Sequence, residues 1–113
     1  MSRRVQGLKP WIWQRISALY LGVFLLYLII ALLQVDTLSY QSWVQWVSDP
    51  LNGSFLLIGF FMTAIHAWIG LKDVIMDYVH PLGLRILVMM LSALGLLVCL
   101  VWASRSLVMV VIK

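Results

Sequence analysis

The chain has 113 residues, of which 64% are hydrophobic, and its formal net charge is +4. A soluble domain is closer to half apolar, so this composition predicts an integral membrane protein. The positive charge does not indicate nucleic-acid binding, because the basic residues lie at the ends of apolar runs and form no patch beside a soluble fold. A single cysteine, Cys99, excludes an internal disulfide.

The N-terminal segment predicts the cytoplasmic edge of a first membrane helix. It mixes basic and tryptophan side chains, at Arg3, Arg4, Lys9, Trp11, Trp13 and Arg15. Cations and tryptophans together are typical of the membrane interface, and cations favour its cytoplasmic side. The uncharged run 16–35 then contains 20 residues, which is enough for one helix across the hydrocarbon.

The first loop, residues 36–54, predicts a short helix that lies in the membrane interface. Thr37 or Ser39 can cap such a helix. Apolar side chains then recur at helical spacing, at Tyr40, Trp43, Val44 and Val47. The loop carries Asp36 and Asp49 but no Lys or Arg, so we expect it outside the cytoplasm.

Two further spans are expected, over about residues 54–78 and 84–104, joined by a short loop. Arg85 opens the third span and favours a cytoplasmic position for that loop. Six of the eight cations then lie on the cytoplasmic side, which predicts a cytoplasmic N-terminus and an external C-terminus. The sequence therefore predicts one all-α membrane domain over residues 1–113, with three transmembrane helices and a short interfacial helix.

His66 is the ionisable residue deepest in the apolar runs, where water is absent and its ring needs a partner. At about 100° per residue it shares a stripe with small residues, Gly59, Thr63 and Gly70. Cleared space around an imidazole suits the axial ligand of a haem, and an interhelical hydrogen bond is the alternative. His80 lies in the loop, so the second axial ligand must come from another chain.

A longer motif surrounds this histidine. Residues 66–81 read H-A-W-I-G-L-K-D-V-I-M-D-Y-V-H-P. The pattern H-A-W-x-G, followed by D-Y and a proline, resembles the smaller hydrophobic membrane anchor subunit of bacterial succinate dehydrogenase, respiratory Complex II. The resemblance covers most of the chain, including the three spans and an arginine that opens the first. It implies a multi-pass protein of the bacterial inner membrane, in contact with lipid.

The resemblance implies partners and a path for electrons. A second anchor (cytochrome b) subunit would join this chain in holding the flavoprotein and iron–sulfur subunits on the cytoplasmic face. Electrons from succinate would pass through flavin and iron–sulfur clusters to ubiquinone, linking the tricarboxylic acid cycle to the respiratory chain. The resemblance thus implies that the chain is a subunit of an enzyme complex, although the sequence shows no catalytic residues for succinate chemistry of its own.

The resemblance also assigns site residues. His66 would ligate haem b, with the second histidine on the larger anchor, and Arg15 would neutralise a haem propionate. Tyr78 and Asp77 would border the ubiquinone site, with the phenol donating a hydrogen bond to a quinone carbonyl. The structural alternatives are an orientation charge for Arg15 and an aromatic-belt residue for Tyr78.

Other interpretations stay open. Residues 14–17, Q-R-I-S, also resemble the larger anchor, whose arginine and serine line the quinone site, so Ser17 receives no role. The chain could instead be a haem-free anchor of the fumarate-reductase type, with a purely structural His66. An unrelated small transporter or accessory membrane protein is the third possibility, although a transporter would be expected to place more ionisable groups across the midplane.

Overall fold

A computed structural model describes residues 2–112 of the chain, with side chains from Leu8 onward. The side chains of Arg3, Arg4 and Lys113, which contribute to the predicted orientation, lie outside this description. The described residues form four helices: α1 (Ser2–Gln34), α2 (Tyr40–Ser48), α3 (Pro50–Tyr78) and α4 (Leu82–Ile112).

Three of these helices are long and apolar enough to cross a membrane: Leu8–Gln34 within α1, Pro50–Tyr78 and Leu82–Ile112. The short helix α2 lies in the first loop, between α1 and α3. The predicted all-α membrane fold, with three spans and a short helix in the first loop, is confirmed.

The helices extend beyond the apolar runs from which the spans were predicted. Helix α1 passes through Pro10 toward the N-terminus, and α4 continues past Arg105 to Ile112. At a rise of 1.5 Å per residue the 31 residues of α4 measure about 46 Å, against roughly 30 Å of hydrocarbon. Charged residues mark the edge of the apolar run, but the helix continues past them into the interface.

Helix α3 is the centre of the molecule. Helices α1 and α4 each pack against α3, and within residues 2–112 their backbones do not approach each other closely. The short helix α2 closes one end by contacting both α3 and α4. Much of the apolar surface of α1 and α4 therefore faces outward, where it suits lipid or a partner subunit.

The α1–α3 contact is antiparallel and rich in aromatic side chains. Phe24, Leu56 and Val47 belong to one buried cluster. The Tyr20 hydroxyl donates a hydrogen bond of 2.6 Å to the Phe55 carbonyl of α3. Neighbouring rings then succeed one another from α1 to α2, with centroids 5.9–6.2 Å apart, at Tyr20, Phe24, Tyr27, Trp46 and Trp43.

Side-chain caps fix the starts of α2 and α3. Ser39 accepts a hydrogen bond from the backbone N–H of Ser42, and the Ser42 hydroxyl accepts one from the backbone of Ser39, which completes a capping box. At the other end, the Asp49 carboxylate accepts a bond from the Leu51 N–H and begins α3. Of the two predicted caps, the structure uses Ser39.

A buried amide links three helices near the junction of α2 and α3. Asn52 is only 7% exposed, and its Nδ2 donates to the Trp46 carbonyl at 3.1 Å. Its Oδ1 accepts a hydrogen bond from the hydroxyl of Tyr27 on α1. Because an unpaired amide would be costly in this apolar setting, the bonds specify how α1, α2 and α3 meet.

Gly53 permits the tight turn between α2 and α3. A Cβ at this position would lie 2.7 Å from the Val47 carbonyl oxygen, closer than real side chains approach. Gly53→Ala should therefore push α2 and α3 apart at their junction and lower the free energy of unfolding by about 1–3 kcal/mol. We expect a lower midpoint of thermal unfolding for the full-length chain in detergent, followed by circular dichroism.

Gly95 provides a matched control on α4, because a Cβ there would meet nothing within 4 Å. Gly95→Ala should leave the midpoint unchanged or raise it slightly, since alanine favours helices. Equal losses in the two variants would show that the Val47 contact is unimportant.

Because α1, α3 and α4 follow one another in alternating directions, α2 and the α3–α4 turn lie at opposite ends. Reporter fusions after Gln45 and after Gly83 should therefore report opposite sides of the membrane. The predicted orientation requires an external signal after Gln45 and a cytoplasmic signal after Gly83. A cytoplasmic signal from the Gln45 fusion would reverse the topology.

Candidate functional site

His66 lies well inside α3 and is held by α1. Its Nδ1 is 3.1 Å from the Oγ of Ser17, a side chain with 0% exposure. The Ser17 hydroxyl donates to the Gln14 carbonyl, one turn earlier on α1, at 3.0 Å. Within the described side chains, Nδ1 is the only ring nitrogen of His66 with a hydrogen-bond partner.

Two of the small residues on the stripe around His66, Gly59 and Gly70, bring α1 close. A Cβ at Gly59 would lie 3.5 Å from the Phe24 ring, and one at Gly70 would lie 3.8 Å from the Gln14 amide nitrogen. The Thr63 hydroxyl is turned back onto its own helix, donating to the Gly59 carbonyl at 2.8 Å. Helical spacing correctly groups these residues on one face, and α1 packs near it at Gly59 and Gly70, whereas Thr63 between them is exposed.

Gln14 completes the polar group around this contact. Its side-chain Oε1 is buried and has no hydrogen-bond partner within the described part of the chain. Its Nε2 lies near Gly70, one turn beyond His66. The segment Gln14–Ser17 therefore brings an amide, a hydroxyl and a backbone carbonyl to the histidine region of α3.

Arg15 lies on a different face of α1 from these contacts. It is two residues from Ser17, hence about 160° around the helix and about 3 Å along it. Its guanidinium carbon lies 5.3 Å from the centroid of the Trp11 ring, a cation–π contact. Gly22 shares this face, and a Cβ there would meet nothing within 4 Å. The structure thus places Arg15 near the depth of His66 but not in contact with it.

Asp77 and Tyr78 are the last residues of α3, and both are exposed, Tyr78 to 78%. The distance from His66 to Tyr78 is twelve residues, or about 18 Å along the axis. The structure therefore does not bring the histidine and the tyrosine together, and the two predicted sites are separate.

Arg85 fixes the turn behind this pair. Its Nε donates to the Val79 carbonyl at 2.9 Å, and a second guanidinium nitrogen lies 3.5 Å from the Met76 carbonyl. These carbonyls at the end of α3 lack helical partners, and a cation there also complements the helix dipole. The sequence indicated only an orientation role for Arg85, although a cation just past a helix end is a known capping signal.

In residues 2–112, no three His, Cys, Asp or Glu side chains converge on a point. The elements that stand out are one histidine held inside the central helix and an exposed Asp–Tyr pair at its end. These features, with three apolar spans, define a multi-pass helical membrane protein.

Comparison with known proteins agrees with this class. The family described as succinate dehydrogenase/fumarate reductase transmembrane subunit matches residues 2–101. The succinate dehydrogenase hydrophobic membrane anchor subunit of Coxiella burnetii is 36% identical over 106 residues, which cover 94% of this chain and 90% of that protein. The chain therefore belongs to the succinate dehydrogenase/fumarate reductase transmembrane subunit family.

Proposed function

We propose that the chain is the membrane anchor of a succinate:ubiquinone oxidoreductase, in which it supplies one axial ligand of haem b and part of the ubiquinone-reduction site. The observation that carries this proposal is the hydrogen bond between Ser17 and Nδ1 of His66, which holds the imidazole inside a membrane helix. Family membership supports the same assignment. The flavoprotein, iron–sulfur and second anchor subunits would complete the complex.

The residues around His66 fit an axial ligand. Ser17 engages Nδ1, and Nε2 has no hydrogen-bond partner in the described part of the chain. In protein metal sites one ring nitrogen commonly binds the metal while the other is held by hydrogen bonding. Haem b, when bound, supplies a one-electron carrier. A second anchor subunit would provide the opposite ligand, because His80 lies exposed in the turn after α3.

Arg15 suits a haem propionate. It lies within one helical turn of Ser17 in depth, it is exposed, and its face of α1 includes the open position at Gly22. A guanidinium binds a carboxylate through several N–H groups. The contact with the Trp11 ring restricts the side chain, which lowers the entropy lost when an anion binds.

Tyr78 and Asp77 suit the ubiquinone site. Reduction of a quinone consumes two electrons and two protons, so the site needs both a donor subunit and access to water. The end of α3 offers an exposed phenol, which can donate a hydrogen bond to a quinone carbonyl, and an exposed carboxylate, which can exchange protons with water. Partner subunits would form the remaining walls.

The haem assignment is tested by His66→Ala in the purified complex, with His80→Ala as the matched control. His66→Ala should abolish or strongly reduce the low-spin b-type spectrum, because no other described histidine lies inside a span. His80→Ala should retain haem at the wild-type ratio to protein. An intact wild-type complex without haem would refute the assignment and favour a haem-free anchor of the fumarate-reductase type.

The quinone assignment is tested by Tyr78→Phe, which keeps the ring and removes only the hydroxyl. Loss of one neutral hydrogen bond costs roughly 0.5–1.5 kcal/mol, which lowers the ubiquinone-dependent rate by up to about tenfold if the bond is made in the transition state. Succinate oxidation with an artificial acceptor upstream of the quinone should be nearly unchanged in the same membranes.

Tyr40→Phe is the matched control, because Tyr40 is also exposed but lies in α2 at the opposite end of the molecule. It should leave both activities at wild-type values. Equal ubiquinone rates in Tyr78→Phe and wild type, measured below saturation, would reduce Tyr78 to an interfacial aromatic. Equal losses with both acceptors would indicate damaged assembly and contradict the quinone role.

A further inference from the structure

We propose that Ser17 is a positioning residue for His66: its oxygen accepts the Nδ1 proton and thereby leaves Nε2 as the nitrogen that ligates haem iron. This inference rests on the proposed ligation of haem b. It gives a role to a side chain that the Q-R-I-S motif left unassigned.

The positions of the protons support this arrangement. A serine hydroxyl carries one proton, and a backbone carbonyl can only accept. Ser17 Oγ lies 3.0 Å from the Gln14 carbonyl and donates there. The remaining contact, 3.1 Å between Oγ and Nδ1, then needs a proton from the imidazole. The histidine is therefore protonated at Nδ1 and carries its lone pair at Nε2.

The opposite tautomer satisfies fewer groups. If Ser17 donated to Nδ1, the ring proton would sit on Nε2, which has no acceptor in the described part of the chain. The hydroxyl would also give up its bond to Gln14. Ser17 has 0% exposure, so water does not compete for its hydroxyl, and each lost hydrogen bond carries its full cost.

The packing of α1 on α3 holds this contact in place. On one side of it, Gly59 lies against the Phe24 ring, and on the other, Gly70 lies near the Gln14 amide. Both approaches are close because glycine has no side chain. Ser17 is thus brought to hydrogen-bonding distance by helix contacts on either side, which fixes the orientation of the imidazole.

An acceptor at Nδ1–H increases the electron donation of Nε2 to a metal. Greater donation stabilises ferric over ferrous iron. Removing the hydroxyl should therefore raise the haem midpoint potential, by a change of up to about tenfold in the ferric-to-ferrous equilibrium, or about 59 mV for one electron. Loss of packing can also shift a haem potential, so the test needs a variant that keeps the hydroxyl.

The experiment compares Ser17→Ala and Ser17→Thr in the assembled complex, by redox titration followed at the haem absorption bands. Ser17→Ala should raise the potential, and Ser17→Thr should restore it because threonine keeps the hydroxyl. Thr63→Ala is the matched control: it removes a hydroxyl one turn from His66 whose one hydrogen bond in the described part of the chain goes to the Gly59 carbonyl. It should leave the potential at the wild-type value.

The outcomes separate this inference from the proposed function. A wild-type complex without haem refutes the ligation, and the inference falls with it. A haem-containing wild type whose potential is unchanged in Ser17→Ala refutes only the role of Ser17. If Ser17→Ala loses haem, retention in Ser17→Thr supports the hydroxyl, whereas equal loss in both variants shows that packing volume alone matters and overturns the proposal.

Discussion

Polar groups inside a membrane helix have no water to bind, so each must find a partner within the protein. In this chain the partners of α3 come largely from one side of α1. Ser17 meets His66, Tyr20 bonds to the Phe55 carbonyl, and Tyr27 bonds to Asn52. These contacts succeed one another along the interface and fix its antiparallel register. The orientation of the histidine therefore depends on the same contact that joins the helices.

The outer surfaces of the molecule, in contrast, are apolar and have no partner within the described part of the chain. Helices α1 and α4 flank α3, their backbones do not approach each other closely in residues 2–112, and their apolar side chains are widely exposed. Tyr78, at the end of α3, is also exposed. A chain that leaves so much apolar surface outward is well suited to a membrane complex, in which lipid and neighbouring helices cover that surface.

Hydropathy was sufficient to predict the three spans, because a bilayer requires long apolar helices. The cap at Ser39 and the helical spacing behind it were sufficient to predict α2. The partner of His66 was not predictable, because hydropathy does not encode the register between two helices. Periodicity grouped Gly59 with Gly70 correctly but could not show that α1 covers both. The capping role of Arg85 was missed because its charge was interpreted only as a topology signal.

The two candidate sites on α3 place opposite demands on the helix. An axial ligand must hold one orientation, and His66 meets this demand because Ser17 on a second helix binds its ring. A quinone site must admit a substrate and exchange protons, and Tyr78 meets that demand because the helix ends there, exposed to its surroundings. Arg85 binds the last carbonyls of α3. The side chains of Asp77 and Tyr78 are exposed, while the backbone that carries them is fixed by these hydrogen bonds. One continuous helix thus joins a constrained histidine to an accessible phenol, about 18 Å apart along its axis.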